Sequence, residues 1–310
     1  MRIGVFVSET WGPPSDVDEV RRRAAEAEQA GMDSVWVPYL PWAVDALAAA
    51  QAAGGATSRV EVGTAVVPTY LFHPLALARQ AATVDEAIGG RLTLGIGPSQ
   101  RTVIESMHGV EYRAPARHTS EYLDVLGAAW ANGPRVEVRG EHFQVDAMYG
   151  VPGARPVPVL VGALGPLMLD AAGSRADGTI ATMCDPGAIE RVVVPGITAA
   201  AAAAGRPAPR VGTVVPLCVT DDVDAAREAA ATHFGVYDRL PRYRRMVELG
   251  DGARAADVCV VGGEAQVRAA LARYRDAGLT DLLAAPFAGG QEAVMARRRL
   301  LDALGGLVGA

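Results

Sequence analysis

Short runs rich in β-branched residues alternate with amphipathic stretches along the whole chain, and this alternation restricts the fold more than any other feature. The runs are Ile3–Val7, Ser34–Val37, Val60–Val67, Leu92–Ile96, Val157–Val161, Thr179–Thr182, Val211–Val219 and Leu279–Ala285. Helical spacing fills the intervals over 16–30, 43–54, 74–88, 117–131, 166–175, 187–204, 222–234 and 264–277. Each run is apolar nearly throughout, as expected of parallel strands covered on both faces. Eight strand–helix units predict an α/β fold of the (β/α)8 TIM-barrel type. A doubly wound sheet would carry a GxGxxG turn after strand one; the residues there are Ser8-Glu9-Thr10-Trp11. Gly31, Gly89-Gly90 and Gly278 stand where helices should stop. Two stretches exceed a plain βα unit. Residues 133–146 read as a β-hairpin inserted before strand five, and the arginine-dense 235–262 as a helical insertion before strand eight. The expectation is one barrel domain over 1–310.

Several chemistries are excluded by composition. All 29 basic residues are arginine, so lysine Schiff-base and P-loop mechanisms are not available. A net charge of −6 with dispersed arginines predicts no nucleic-acid partner. The N-terminus opens directly on a strand pattern, and no apolar run approaches the roughly 18 residues that span a bilayer. No membrane partner and a cytoplasmic location are therefore expected. Cys184, Cys218 and Cys259 are far apart, with no CxxC pair or histidine cluster; they read as buried inert thiols rather than metal ligands.

In a barrel of this type the active site forms at the C-terminal ends of the strands. The residues following the strands are Ser8, Glu9 and Trp11; Pro38, Tyr39 and Trp42; Pro68, Thr69, Tyr70 and His73; the turn 95–100; the turn 162–166; and Thr182, Met183 and Cys184. This inventory is aromatic, small and neutral. It holds no carboxylate pair and no Ser/His/Asp order, which argues against hydrolysis and metal chemistry and for a planar cofactor that brings its own reactivity. Gly95-Ile96-Gly97-Pro98-Ser99 reads either as cleared space for a ring or as a tight turn with Ser99 as a helix cap. Gly165-Pro166 opens a helix, and its free N–H groups make an anion site or simply a well-formed terminus.

Three segments carry a family resemblance: HPLALARQAATVDEAIGGRLTLGIGPSQ (73–100), PVPVLVGALGPLMLDAAGSRADGTI (156–180) and VGTAVVP (62–68), with the hairpin RGEHFQVD (139–146) between the first two. Through them the chain resembles the luciferase-like monooxygenase superfamily, and within it the branch that uses the deazaflavin coenzyme F420. The resemblance implies a TIM barrel, a small-molecule substrate, a homodimer, and F420 as cofactor with FMN as the alternative. The apolar C-terminal stretch Arg297–Val308 supports the dimer expectation. It also implies a bulge with a non-prolyl cis peptide between Ala65 and Val66, backing the ring. The implied cofactor-binding set is Thr64, Ala65 and Val66; Ile96, Gly97, Pro98 and Ser99; and Gly162, Ala163, Leu164, Gly165, Pro166 and Leu167. Tyr39, His73, Gln100 and Glu9 are the candidate catalytic residues, and Trp11, Trp42 and Tyr70 the candidate substrate pocket. Deazaflavin dehydrogenases of the branch place an acid and a histidine after strand two and a glutamate after the strand-four glycines; here Pro38, Tyr39 and Gln100 occupy those positions. The expectation is thus a reductase of an activated C=C or C=N bond. The alternatives are an FMN-dependent monooxygenase and a non-catalytic flavin-binding barrel.

Overall fold

The computed structural model describes residues 1–9, 11–131, 133–290 and 292–307. Its strands are β1 (Arg2–Phe6), β2 (Ser34–Val37), β3 (Glu61–Thr64), β4 (Val67–Pro68), β5 (Leu92–Gly97), β6 (Arg135–Arg139), β7 (Gln144–Met148), β8 (Val159–Val161), β9 (Gly178–Thr182), β10 (Arg210–Val219), β11 (Val260–Gly262) and β12 (Asp281–Pro286). Parallel pairing runs β1–β2–β3–β5–β8–β9–β10–β12 and back to β1, which closes an eight-stranded barrel. β4 continues the path of β3 after a break. Sequence expectations and strand positions agree to within two residues at most ends, and the helix Pro166–Arg175 agrees at both.

Alternation along each strand sorts side chains to two sides. Val5 and Val7 face the surrounding helices, whereas Phe6, Trp36, Leu160, Ile180, Val214 and Leu283 fill the barrel interior. Trp36 sets the register there. Its ring lies where side chains on both neighbouring strands would stand: a Cβ on Gly4 would fall 2.6 Å from its Nε1, and one on Gly63 2.2 Å from its Cζ3. The indole N–H is satisfied by Ser34 Oγ at 2.9 Å. At the N-terminal end of the barrel, Arg210 reaches Asp281 at 2.6 Å and Glu61 at 2.9 Å, and Arg2 adds to Glu61 at 2.8 Å. Burial resists ionisation at Asp281, but its hydrogen bond with Arg210 prevails and lowers its pKa.

Both insertions are present, with differences. β6 and β7 form the antiparallel hairpin before β8. Residues 235–262 hold the helix Pro241–Leu249 but also a strand, β11, which pairs with the end of β10; the β-branched run from Val258 to Val261 explains it. The helix expected over 187–204 has a π segment, Ile189–Val193, just before Pro195; proline lacks the N–H that an α turn would use. The C-terminal helix is Ala293–Gly305, and Leu300, Leu301 and Leu304 on it are buried against the chain's own core. Its apolar face is spent internally and does not argue for a dimer; Val308 lies outside the described residues. Among the described residues, no helix is long and apolar enough to cross a membrane.

Candidate active site

Strand three builds the floor of the site. Val62 pairs with Leu92 and Val67 with Ile96, so five steps on one strand face four on the other, the signature of a bulge. The extra residue falls at Ala65 and Val66, and the peptide between them is cis, as the resemblance implies. Where the ladder breaks, the buried Thr64 hydroxyl accepts from Gly95 N and donates to Gly95 O, both at 2.9 Å. The Thr64 carbonyl lies 1.9 Å from where a Cβ on Gly95 would stand, and Val66 Cγ2 lies 2.8 Å from one on Gly97 and 3.5 Å from one on Gly162. The glycines read from the sequence as cleared for a ligand are therefore taken up first by the bulge itself. The Thr64 hydroxyl is engaged by Gly95 and holds the bulge in place. Ala65, Val66 and Trp11 are half-buried and cover the barrel interior together.

From this floor the wall runs through β5 into its turn. Ile96, Gly97 and Pro98 are buried, and Ser99 stands in the left-handed region at φ 59, so it is not the helix cap that its position suggested. Gly162 and Ala163 continue the wall in the loop after β8. Leu164 leads to Gly165, the cap of helix Pro166–Arg175, which has no side-chain capping bond. A Cβ on Gly165 would meet nothing within 4 Å, and Leu167 is 72% exposed. Pro166 has no N–H and the Met168 amide donates to Gly165 O at 3.0 Å, so this open terminus presents the Gly165 and Leu167 amides.

The four candidate catalytic residues fare differently. Glu9 is turned toward the first helix, its carboxylate 3.4 Å from the guanidinium of the buried Arg23. His73 caps the helix Pro74–Ala87, with Nδ1 accepting from Leu75 N at 3.3 Å and its ring on the edge of Phe143. Gln100 lies beside Tyr243 and acts to lower its pKa, but burial prevails and raises it. Tyr39 is half-buried with its ring edge-on to Phe72 at 6.2 Å. Burial and then Asp45 raise its pKa, so it is a phenol at neutral pH.

The three pocket candidates also diverge. Tyr70 is half-buried: its hydroxyl donates to Arg113 O at 2.6 Å, and its ring stacks between His118 at 3.9 Å and Tyr112 at 4.8 Å. Trp42 is 62% exposed at the rim. Trp11 packs edge-on to Phe234 at 4.6 Å and lies beside Tyr237.

Sequence reasoning missed Tyr112, Tyr237, Arg242 and Tyr243. The last three come from the arginine-dense insertion; the YxRLPRY spacing of aromatics within it was the available signal. A separate cavity of about 490 Å³ lies beside β11, lined by Asp185, Asp251, Asp257, Arg273 and Tyr274. Its carboxylates are satisfied internally, Asp185 by the Asp251 and Gly252 amides and Asp251 by Arg191 and Arg273.

Comparison with known proteins gives a family model, luciferase-like monooxygenase, matching residues 1–281. A Mycobacterium tuberculosis protein named as a coenzyme F420-dependent oxidoreductase is 32% identical over 192 residues, 60% of this chain. The match spans only 54% of that relative's length. An F420-dependent glucose-6-phosphate dehydrogenase of Microbacterium testaceum is 31% identical across 89% of this chain and 88% of its own. Among solved structures, an F420-dependent secondary alcohol dehydrogenase bound to an F420–acetone adduct superposes with a TM-score of 0.81 at 21% identity, covering 99% of this chain and 98% of that one.

Proposed function

The chain belongs to the luciferase-like monooxygenase family, and from that premise we propose that it is a coenzyme F420-dependent oxidoreductase that reduces a small organic substrate at an activated C=C or C=N bond. The observation that carries the reading is a continuous surface. The bulge at Ala65–Val66 abuts Gly97 and Gly162, and the short loop after Gly162 leads to the helix terminus at Gly165. A flat floor ending at the Gly165 and Leu167 amides suits a ring joined to a phosphate. The names of the F420-dependent relatives favour a deazaflavin over FMN.

Ala65 and Val66 would support one face of the ring, Ile96 to Ser99 its flank, and Gly162 to Leu167 the chain and phosphate. The bound deazaflavin would supply the hydride. The protein's part is then to hold the acceptor carbon about 3–3.5 Å from the donor and to provide a proton. Tyr39 is the best-suited donor: among the described residues its hydroxyl has no protein partner, whereas Glu9 and His73 are engaged elsewhere. Gln100 has no titrating proton and serves to orient. Trp11 and Trp42 stand at the rim, where substrate stacks on the open face.

Fluorescence quenching with F420 and with FMN, followed by transfer of deuterium from position five of F420 to enones and imines, tests the reading. F420 binding with deuterium in a reduced product is the expected result. FMN binding with oxygen consumption and no deuterium transfer would replace it with a monooxygenase, and binding of neither would leave a structural barrel.

A further inference from the structure

Ser99 is held in a backbone region that side-chain-bearing residues enter at a cost and glycine enters freely. Such a conformation persists where surrounding contacts over-determine it. The contact here comes from 13 residues away: the Tyr112 hydroxyl donates to the Ser99 carbonyl at 3.1 Å. That same hydroxyl accepts from Arg242 Nη1 at 3.0 Å, across a sequence separation of 130. A hydroxyl that accepts from a guanidinium is a stronger donor onward, so the two bonds reinforce each other.

The Tyr112 ring has no freedom to swing away. It is 2% exposed, stacks on Tyr70 at an interplanar angle of 27°, and is covered by Arg101 at 5.3 Å and Arg242 at 5.8 Å from its centroid. Arg242 lies on the helix Pro241–Leu249 of the insertion. A two-bond chain therefore links the insertion to the turn that flanks the bulge.

We propose that Tyr112, keyed by Arg242, is a positioning residue whose hydroxyl holds Ser99 left-handed and so sets the turn after β5 against the cofactor floor. Only the identity of the ligand rests on the F420 reading; the hold on the turn does not. The insertion then acts on cofactor affinity without touching the cofactor.

The test is a double-mutant cycle of Tyr112→Phe and Ser99→Gly, with Arg242→Gln as an independent break of the same chain and Arg245→Gln as control. F420 dissociation constants and hydrogen exchange of the 99–101 amides are read on the full chain. Tyr112→Phe keeps the ring and removes both bonds. It is expected to weaken F420 binding about tenfold in the otherwise native protein, the size of a left-handed penalty. In the Ser99→Gly background, where the backbone already accepts that conformation, the loss should be less than about twofold. Exchange at 99–101 should quicken about fivefold or more in Tyr112→Phe and in Arg242→Gln, with Arg245→Gln unchanged. Equal affinity loss in both backgrounds, or exchange that does not respond, overturns the proposal. Faster exchange in Tyr112→Phe and Arg242→Gln, with no F420 binding by the native protein, would sink the cofactor reading and leave the positioning role standing.

Discussion

The Thr64 hydroxyl replaces a missing rung of the barrel ladder, bonding both the amide and the carbonyl of Gly95 at 2.9 Å where the bulge pulls strand three out of register. Thr64→Val is isosteric and removes both bonds inside the barrel. It is expected to cost about 2 kcal/mol in urea unfolding and to weaken F420 binding, while Thr64→Ser keeps most of both. Full affinity in a folded Thr64→Val protein would show that the floor does not depend on this splint.

Gly165 offers a clean probe of the helix terminus. Its backbone lies at φ −97 and nothing occupies the space of its Cβ, so Gly165→Trp should fold normally. If the cofactor phosphate sits over Leu164 to Leu167, the indole blocks it and affinity for F420 and FMN should fall about tenfold or more. An undiminished binding isotherm would move the phosphate elsewhere.

Turnover should separate Tyr39 from His73. Tyr39→Phe is expected to lower kcat about 10²-fold, the usual scale of a lost acid–base group, with KM little changed. His73→Ala removes a helix cap and should cost about 1 kcal/mol of stability with only a modest kinetic effect. The reverse pattern in steady-state assays would assign the proton to His73.

Acid sensitivity has a specific source at Glu28. Partial burial opposes its ionisation, but N–H groups of Val60, Arg59 and Ser58 hold the carboxylate and bring its pKa from 4.5 to about 2. The unfolded chain thus binds this proton more readily, and the stabilisation is complete above pH 4.5 and fades as pH falls toward 2. The melting-temperature gap between the native protein and Glu28→Gln should therefore be widest near neutrality and narrow across that window. A gap independent of pH would contradict this.

What the sequence made legible follows from the range of the forces involved. Strands and helices depend on local periodicity, so the helix at 166–175 is readable from its residues alone. The segment VGTAVVP has ordinary strand composition, and its bulge was accessible only through family resemblance. His73 precedes Pro74, a position suited to a helix cap, and the Nδ1–Leu75 bond shows it in that role. Glu9 required knowledge of Arg23 on the packed helix. Arg242 is the extreme case: its partner lies 130 positions away, and nothing in the pattern of charges around it distinguishes it from Arg245.

Trp36 gives the barrel a datum. Its ring spans the width of three strands between Gly4 and Gly63, so sliding either neighbour by one residue would drive a side chain into it. Ala65 begins two positions beyond Gly63 on the same strand, and the cofactor floor is thereby indexed from below. The height of the bulge at Ala65–Val66 is thus measured from a tryptophan wholly enclosed by the barrel, and not from the loops around its mouth.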